Sequence, residues 1–218
     1  GFESKRFFIA TTVASGEMYA GLQAGEKYVY FKRLDKRLLI IEPNLKVRSS
    51  GDPESKASVK RLFTDRVIVD VPIITLLPKN RPVIDMDALL VGQASKFFGS
   101  RGGGFNAKLA QVRTAKAFPG NVELAFTAPS SNGVLKTLHY SISSIVPSKT
   151  YKPRVADQRV GYFTTSYSDL GKYTNEQKKI RYINRWHLEK ADPKLKVSPV
   201  KNPIIFYIEH TTPVRYRR

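Results

Sequence analysis

The side chains best suited to metal or acid–base chemistry in this 218-residue chain are its three histidines, His139, His187 and His210; there is no cysteine. A zinc protease site needs two histidines four residues apart on one helix face, so that both imidazoles reach one ion beside a glutamate base. These histidines are too widely separated for that spacing. We therefore expect them to face solvent, and we expect no metal ligand, cofactor-binding residue or catalytic residue in the chain.

Three other patterns resemble chemical motifs. Asp85 and Asp87 are paired carboxylates, but the helix dipole favours acids at a helix start, and we interpret them as capping residues. The glycines at 102–104 lack the strand, helix and Lys-Ser/Thr pair of a phosphate-binding loop. Asp157 and Arg159 either form a structural ion pair or act on a substrate. Because no G-x-S-x-G or comparable nucleophile context is present, the sequence predicts no enzyme activity.

The positive charge of the chain suggests an anionic partner. A net charge of +19 attracts anions. Near Lys178, Lys179, Arg181 and Arg185, basic residues are interleaved with aromatic ones, a pattern that can neutralise phosphates and stack bases. No nucleic-acid-binding motif accompanies this charge, so the alternative is a solvated basic face or one that docks on an acidic neighbouring domain. Any binding of nucleic acid or acidic polysaccharide should be non-specific.

The elements that must position these groups are mainly strands. Alternating apolar residues and turn signals predict about ten strands. They include an opening strand at 7–13, a hairpin at 28–47 and a meander from 109 to 146. One helix is predicted from Asp85 to a stop at Gly99. The predicted fold class is mainly β with a minor α component: an antiparallel meander, sandwich or open barrel with one short helix.

Turn and breaker residues refine this prediction. Residues 49–58 are polar and predict a surface loop. Pro119 at i+1 and Gly120 at i+2 predict a type II turn, in which the glycine has a positive φ. Pro72 lacks the N–H that a strand ladder needs, so we expect an edge strand or a break there.

The last third of the chain is rich in large apolar residues. Residues 204–208 are apolar on both faces and predict a strand that needs cover on each side. Large apolar groups that lack cover usually form an interface. The candidate interface residues are Tyr162, Phe163, Trp186, Phe206, Tyr207 and Ile208. For each of them an ordinary core position is the alternative.

The same region carries a resemblance to a known family. The sequences RVADQRVGYF at 154–163, INRWHLEKADP at 183–193 and PIIFYIEHTTPVRYRR at 203–218 resemble the junction segment of large bacterial zinc-dependent metalloproteases. In those proteins a domain of unknown function precedes a metzincin-like catalytic domain. Upstream, AKAFPGNV at 115–122 and LHYSIS at 138–143 resemble the preceding domain of the same family.

The resemblance implies a non-catalytic accessory or prodomain-like module that supports or positions a downstream peptidase domain. It implies that residues 1–150 form a β-rich accessory domain and that 151–218 form a junction leading into a C-terminal catalytic domain. The zinc-binding H-E-x-x-H helix and its zinc would then lie beyond Arg218, and the partner of this chain would be its own catalytic domain. Export to the periplasm or cell envelope is also implied. No apolar run reaches the length of a membrane span.

Overall fold

The structure is a computed structural model that describes residues 2–174, 178–208 and 210–217. The chain divides into two compact units. The first unit comprises Gly1–Ser148 and Tyr167–Ile180, and the second comprises Lys149–Ser166 and Arg181–Arg218. The first unit contains most of the regular structure.

Strands dominate the first unit. The described residues form eleven strands: β1 (Arg6–Ser15), β2 (Gln23–Leu34), β3 (Arg37–Glu42), β4 (Val47–Arg48), β5 (Arg66–Leu77), β6 (Arg81–Ile84), β7 (Gln111–Phe118), β8 (Asn121–Pro129), β9 (Leu135–Ile145), β10 (Thr164–Asp169) and β11 (Lys179–Ile183). Eight of them form a curled antiparallel half-barrel in the order β6-β5-β3-β2-β1-β9-β8-β7. The predicted mainly β class is therefore confirmed.

Helical segments are short. The described α-helices are α1 (Pro53–Leu62), α2 (Met86–Leu90) and α3 (Ala94–Phe98), and 3-10 turns lie at Phe2–Ser4, Gly99–Gly102, Ala107–Leu109 and Val214–Tyr216. None of the described helices has the length and apolar composition that a bilayer crossing requires.

The alternation of side chains on β1 decides which residues reach the concave face of the half-barrel. Ile9, Thr11 and Val13 are buried there, each separated by an outward-facing residue. They lie opposite inward residues of β9, since Ile9 pairs with Ile142, Thr11 with Tyr140 and Val13 with Leu138. A period of two in several neighbouring strands thus gives one continuous apolar surface.

Helices α2 and α3 fill the concave face. Leu89 and Leu90 on α2, and Phe97 and Phe98 on α3, are buried in the same cluster as the inward strand residues. Asp85 caps α2 by accepting hydrogen bonds from the N–H groups of Asp87 and Ala88, as its position before the apolar run predicts. A curled sheet cannot bury its own concave side, so this segment supplies the second layer of the core.

The prediction of one continuous helix over 85–99 is wrong. Two five-residue helices replace it, with a bend between Val91 and Gln93. Leu89, Leu90 and Val91 are consecutive and all buried, which one straight helix facing a single surface does not allow. The bend lets α2 and α3 each turn their apolar residues towards the sheet.

Tyr140 lies at the centre of this core. Its side chain is fully buried, and its hydroxyl donates a 2.7 Å hydrogen bond to the backbone oxygen of Leu90 at the end of α2. Its ring centroid lies 5.0 Å from that of Phe98 and 5.4 Å from that of Phe97, both edge-to-face, and 6.2 Å from that of Phe126. Burial raises the pKa of the Tyr140 phenol, so the hydroxyl remains a donor at neutral pH. Tyr140 therefore joins the sheet to both helices.

Two loop predictions need correction. Residues 49–58 are not a loop throughout, because α1 begins at Pro53. Asp52 accepts a 2.7 Å hydrogen bond from the N–H of Ser55, and proline occupies the first helical turn, where its missing N–H costs nothing. No residue of α1 is buried, so the apolar periodicity that predicts a helix is weak there.

The turn at Pro119 and Gly120 closes the β7–β8 hairpin, since Phe118 pairs with Asn121. Gly120 does not have a positive φ, so the predicted type II geometry is wrong. Positive φ angles occur at other glycines, among them Gly16, at φ +92°. At Pro72 the strand β5 continues without a break; among the described strands it pairs there only with β3, because pairing with β6 begins at Ile73.

The second unit has little regular structure. Val155 and Tyr182 form an isolated antiparallel bridge, as do Lys190 and Val200. The predicted strand at 204–208 is wrong, because these residues form no strand and their side chains are exposed. Residue 209, within the longer stretch 203–210, lies outside the described residues. The physical reason is that an apolar run makes a strand only where a neighbouring strand satisfies its backbone.

Replacing Tyr140 by phenylalanine removes the hydroxyl donor to Leu90 while keeping the ring in place. We expect the free energy of unfolding of Tyr140→Phe to fall by about 1 to 2 kcal/mol, the scale of one buried hydrogen bond. Urea denaturation measures the loss. Tyr28→Phe is the matched control, because Tyr28 is half-buried in β2 and has no side-chain hydrogen bond in the described residues. Equal losses in both variants would contradict the role given to the Tyr140 hydroxyl.

Replacement by alanine should destabilise the chain much more at Gly16 than at Gly120. A Cβ on Gly16 would lie 2.5 Å from the carbonyl oxygen of Leu135, at a backbone angle that disfavours side chains. A Cβ on Gly120 would meet only the hydroxyl of Ser144, at 3.4 Å. We expect Gly16→Ala to cost about 1 to 3 kcal/mol and Gly120→Ala less than about 0.5 kcal/mol. Thermal unfolding of both variants checks this, and a larger loss at Gly120 would refute it.

Candidate functional site

A row of polar side chains crosses β8 and β9 on the outer face of the half-barrel. The Glu123 carboxylate lies between His139 and Ser141, with Nε2 of His139 2.8 Å from one oxygen and the Ser141 hydroxyl donating at 2.6 Å to the other. The amide of Asn121 donates to the hydroxyls of Ser141 and Ser143, each at 2.9 Å. His139 therefore lies on the polar face of its strand, as predicted, but it is paired with a carboxylate.

This row contains serine, histidine and a carboxylate, yet its order differs from that of a nucleophilic relay. In a relay the imidazole lies between the hydroxyl and the carboxylate, so that it takes the hydroxyl proton. Here Glu123 lies between Ser141 and His139 and accepts from the serine directly. The arrangement holds the hydroxyl as a donor and stabilises the two strands by cross-strand pairing.

A second group surrounds His187 in the second unit. Its Nε2 atom lies 2.8 Å from the hydroxyl oxygen of Thr150 and 3.3 Å from a carboxylate oxygen of Glu189. The imidazole packs edge-to-face on Tyr151, at 5.4 Å between centroids. The guanidinium of Arg185 lies 5.0 Å from the centroid of the same tyrosine ring.

The hydroxyl and the carboxylate approach the same nitrogen of His187. A relay needs them on different nitrogens, one accepting the hydroxyl proton and the other donating to the acid. The hydrogen bond from Thr150 lowers the pKa of Glu189; burial opposes this shift, and the charges of His187 and Lys201 add to it. These contacts therefore stabilise the ionised form of Glu189 beside His187 in this irregular region.

Neither histidine is near other potential ligands in sufficient number for a metal. Within residues 2–174, 178–208 and 210–217, no three His, Cys, Asp or Glu side chains come together as a possible ligand set. The expectation that this chain binds no zinc or other cofactor stays a prediction. Asp157 and Arg159 do form an ion pair on the surface, with 2.6 Å between the closest oxygen and nitrogen atoms.

Sequence reasoning missed a buried carboxylate in the first unit. Asp169, at the end of β10, is 3% exposed and accepts hydrogen bonds from the N–H groups of Ser50, at 2.8 Å, and Gly171, at 3.0 Å. Burial alone would raise the pKa of Asp169, but these bonds and the charge of Lys172 lower it below its usual value. Since β10 pairs with β4 across a long stretch of sequence, no local pattern indicates this contact.

The predicted interface residues all belong to the second unit, and all are exposed. Phe163, Phe206 and Tyr207 stand out most, with 90%, 81% and 91% of their surfaces accessible. Tyr162, Trp186 and Ile208 are also exposed. The structure therefore leaves large apolar side chains uncovered in this unit, where the alternative was ordinary core.

The predicted polyanion-binding residues are divided between the units. Lys178 and Lys179 belong to the first unit, and Arg181 and Arg185 to the second. Besides stacking on Tyr151, Arg185 donates a 2.8 Å hydrogen bond to the backbone oxygen of Lys152. The guanidinium of Arg185 is thus partly engaged within its own unit. Non-specific polyanion binding stays a prediction.

The inward face of β7 is uncovered at one edge of the half-barrel. The inward side chains of this strand are Val112, Ala115 and Ala117, and all three are exposed. At Val112, near the start of β7, this face adjoins a cavity of about 310 Å³ between α2 and the sheet, lined mainly by apolar residues such as Val91, Val112 and Phe126. We call the inward face of β7 with this cavity the β7 groove.

The charged groups that line the cavity are Asp87 and Lys108. The remaining lining residues are Ala88, Gly92, Ala107 and Ala110. Small residues on α2 and before β7 leave the space open, since none of them reaches across to the facing wall. Sequence reasoning missed the cavity because α2 is distant in the sequence from Phe126 on β8. Only the folded chain brings residues of α2, β7 and β8 around one space.

The hydrogen bonds to Asp169 predict a pH dependence of stability. Because the pKa of Asp169 is lower in the folded chain than in the unfolded chain, its contribution is complete above the usual aspartate range and is lost as pH falls through the folded pKa. We expect Asp169→Asn to lose about 1.5 to 3 kcal/mol at pH 7, the scale of hydrogen bonds to a charged group. This difference should shrink below about pH 4.

Urea denaturation of the natural chain and Asp169→Asn at pH 7, 5 and 3 measures this effect. Asp35→Asn is the control, since Asp35 lies in the exposed β2–β3 turn at φ 50°, a backbone angle that asparagine also tolerates. A stability difference for Asp169→Asn that is the same at pH 7 and pH 3 would show that the carboxylate charge is not what the loop uses.

Comparison with known proteins gives one match. The family model described as "Domain of unknown function (DUF5117)" matches residues 21–191, more than three quarters of the chain. Of the curated proteins and the solved structures, none matches. The family match does not itself link the chain to a zinc protease. It covers the β7 groove, both histidine groups and Asp169, and the chain therefore belongs to the DUF5117 family of domains of unknown function.

Proposed function

We propose that this chain is a non-catalytic accessory module of a zinc-dependent metalloprotease, which positions a peptidase domain through the apolar side chains of its second unit. The observation that carries the proposal is the exposure of Phe163, Phe206 and Tyr207, each more than 80% accessible, in a region of little regular structure. Exposed aromatic groups of this size usually mark an interaction surface.

The energetics of exposure favour a protein partner. Burying one large apolar side chain contributes about 1.5 to 3 kcal/mol. Residues 204–208 are five consecutive apolar residues, all exposed, and they form no strand with any described neighbour. A partner that buries Phe206 and Tyr207 would therefore gain several such contributions. If the partner offers a strand edge, it would also satisfy the backbone N–H and C=O groups of 204–208.

The resemblance to zinc-dependent metalloproteases supports the choice of partner. The stretches that carry this resemblance, 154–163, 183–193 and 203–218, also contain all six candidate interface residues. In this proposal the peptidase domain supplies the zinc ligands and the glutamate base, and this module supplies neither. The module would be exported with its peptidase to the periplasm or cell envelope.

Substituting the two most exposed residues of 204–208 should weaken association without unfolding the module. We expect Phe206→Ser combined with Tyr207→Ser to lower the affinity for the peptidase domain by at least about ten-fold, because central aromatic anchors dominate interfaces. Calorimetry with a separately expressed zinc peptidase domain of the same polypeptide measures the affinity. The matched control is Met18→Ser with Tyr19→Ser, which alters two exposed apolar residues in the β1–β2 loop.

Three results would contradict the proposal. The first is that the native polypeptide purified from its own cells contains no peptidase domain and no zinc. The second is that the peptidase domain does not bind the module. The third is that the control pair weakens binding as much as the pair at 206 and 207.

A further inference from the structure

We propose that the β7 groove binds an extended peptide strand that carries apolar side chains on one face and acidic side chains on the other. The inference does not depend on the proposed link to a protease. It rests on the position of β7 in the sheet, on the uncovered inner face of that strand, on the cavity beside it and on the charges of its outer face.

Because β7 lies at the edge of the sheet, the partner that fits it best is itself an extended strand. β7 is an edge strand of the half-barrel, and within the described part of the chain it pairs only with β8. An edge strand directs alternate N–H and C=O groups away from its neighbour, where a further extended chain can pair with them. Peptide recognition by strand addition uses these main-chain groups for affinity and adjacent pockets for specificity.

The inner face of β7 selects apolar side chains. An added strand would place alternate side chains over the same concave face as Val112, Ala115 and Ala117. Two of these residues are alanines, so the face has room for larger groups from the partner. Their exposure shows that α2 and α3 leave these side chains uncovered, although α2 helps to line the cavity at the start of β7.

The cavity selects one large side chain. Its volume of about 310 Å³ is at the small end of the range for ligand pockets, about 300 to 1,000 Å³. Val112 lines both the cavity and the inner face of β7, so a side chain from an added strand can enter it. The apolar walls, with Phe126 among them, fit an aromatic or large aliphatic group.

The outer face of β7 selects acidic residues. Lys116 is exposed there, directly opposite Glu123 of β8, whose carboxylate is already bound to His139 and Ser141. On the inner side of the sheet, the charged residues of the cavity lining are Lys108 and Asp87. An added strand with outward carboxylates would meet Lys116, which has no ion pair in the described part of the chain.

The test uses the complete chain and a fluorescently labelled, end-blocked peptide of sequence EVEFEVE, in which valine and phenylalanine share one face and glutamate the other. Fluorescence anisotropy measures binding. A peptide of the same composition in the order VFVEEEE should bind at least about ten-fold more weakly, because it cannot present one apolar face. The same should hold for EVEFEVE with N-methyl groups at alternate residues, which removes the main-chain donors.

Two pairs of variants locate the site. Ala88→Trp fills the cavity from α2 and should weaken binding by at least about ten-fold, whereas Ala57→Trp makes the same change at an exposed position of α1 and should leave it unchanged. Lys116→Glu should weaken binding several-fold and reduce its dependence on salt, whereas Lys60→Glu on α1, with the same net charge, should have little effect.

Each negative result overturns the inference. It fails if EVEFEVE does not bind, since this peptide was chosen to match the strand edge, the inner face, the cavity and the outer face together. It also fails if the N-methylated peptide binds as well as the parent, or if Ala88→Trp behaves like Ala57→Trp. Circular dichroism on the two tryptophan variants confirms that each is folded before its affinity is compared.

Discussion

The concave face of a half-barrel has to be covered by something other than the sheet, and here the cover is a bent pair of short helices joined to the sheet through Tyr140. The hydroxyl of Tyr140 binds the end of α2, and its ring packs on Phe97 and Phe98 of α3. The sheet supplies curvature but no second layer. The helices supply a second layer but are too short to be stable alone.

This division of the core decides what remains exposed. Helices α2 and α3, of five residues each, pack into the core but leave the inward side chains of β7 exposed. The β7 groove is therefore a consequence of how the core is built, and small side chains such as Ala88 and Ala115 keep it open. The second unit differs, since its apolar residues are exposed in irregular segments. Proteins keep such residues uncovered mainly where a partner buries them.

Much of the fold could be predicted from local sequence. The meander, the β2–β3 hairpin, the capping role of Asp85 and the polar strand face of His139 follow from alternation and capping, which act over a few residues. The bend between α2 and α3 could not be predicted in this way, because it is set by the curvature of the sheet they cover. The strand predicted at 204–208 was wrong for a related reason, since apolar residues alone do not provide a pairing neighbour.

The candidate sites were less accessible to sequence reasoning than the fold. The surroundings of Asp169 and the β7 groove depend on segments that are distant in the sequence: β4 pairs with β10, and residues of α2 and β7 line one cavity. The contacts of the histidines could not be predicted from sequence spacing either. Sequence spacing placed His187 among charged residues, but only the structure shows Thr150 and Glu189 approaching one nitrogen of its ring. The sequence likewise leaves open whether the aromatic residues of the second unit are exposed or lie in a core, and the structure shows that they are exposed.

The central claim is that the apolar side chains of the second unit form a docking surface for a peptidase domain. Hydroxyl-radical footprinting of the 218-residue chain and of the native polypeptide tests it most directly, because oxidation of Phe206 and Tyr207 reports their solvent exposure. The account predicts strong oxidation of both residues in the chain alone and clear protection in the native polypeptide, with Met18 and Tyr19 oxidised equally in the two. Equal oxidation of Phe206 and Tyr207 in both samples would contradict it.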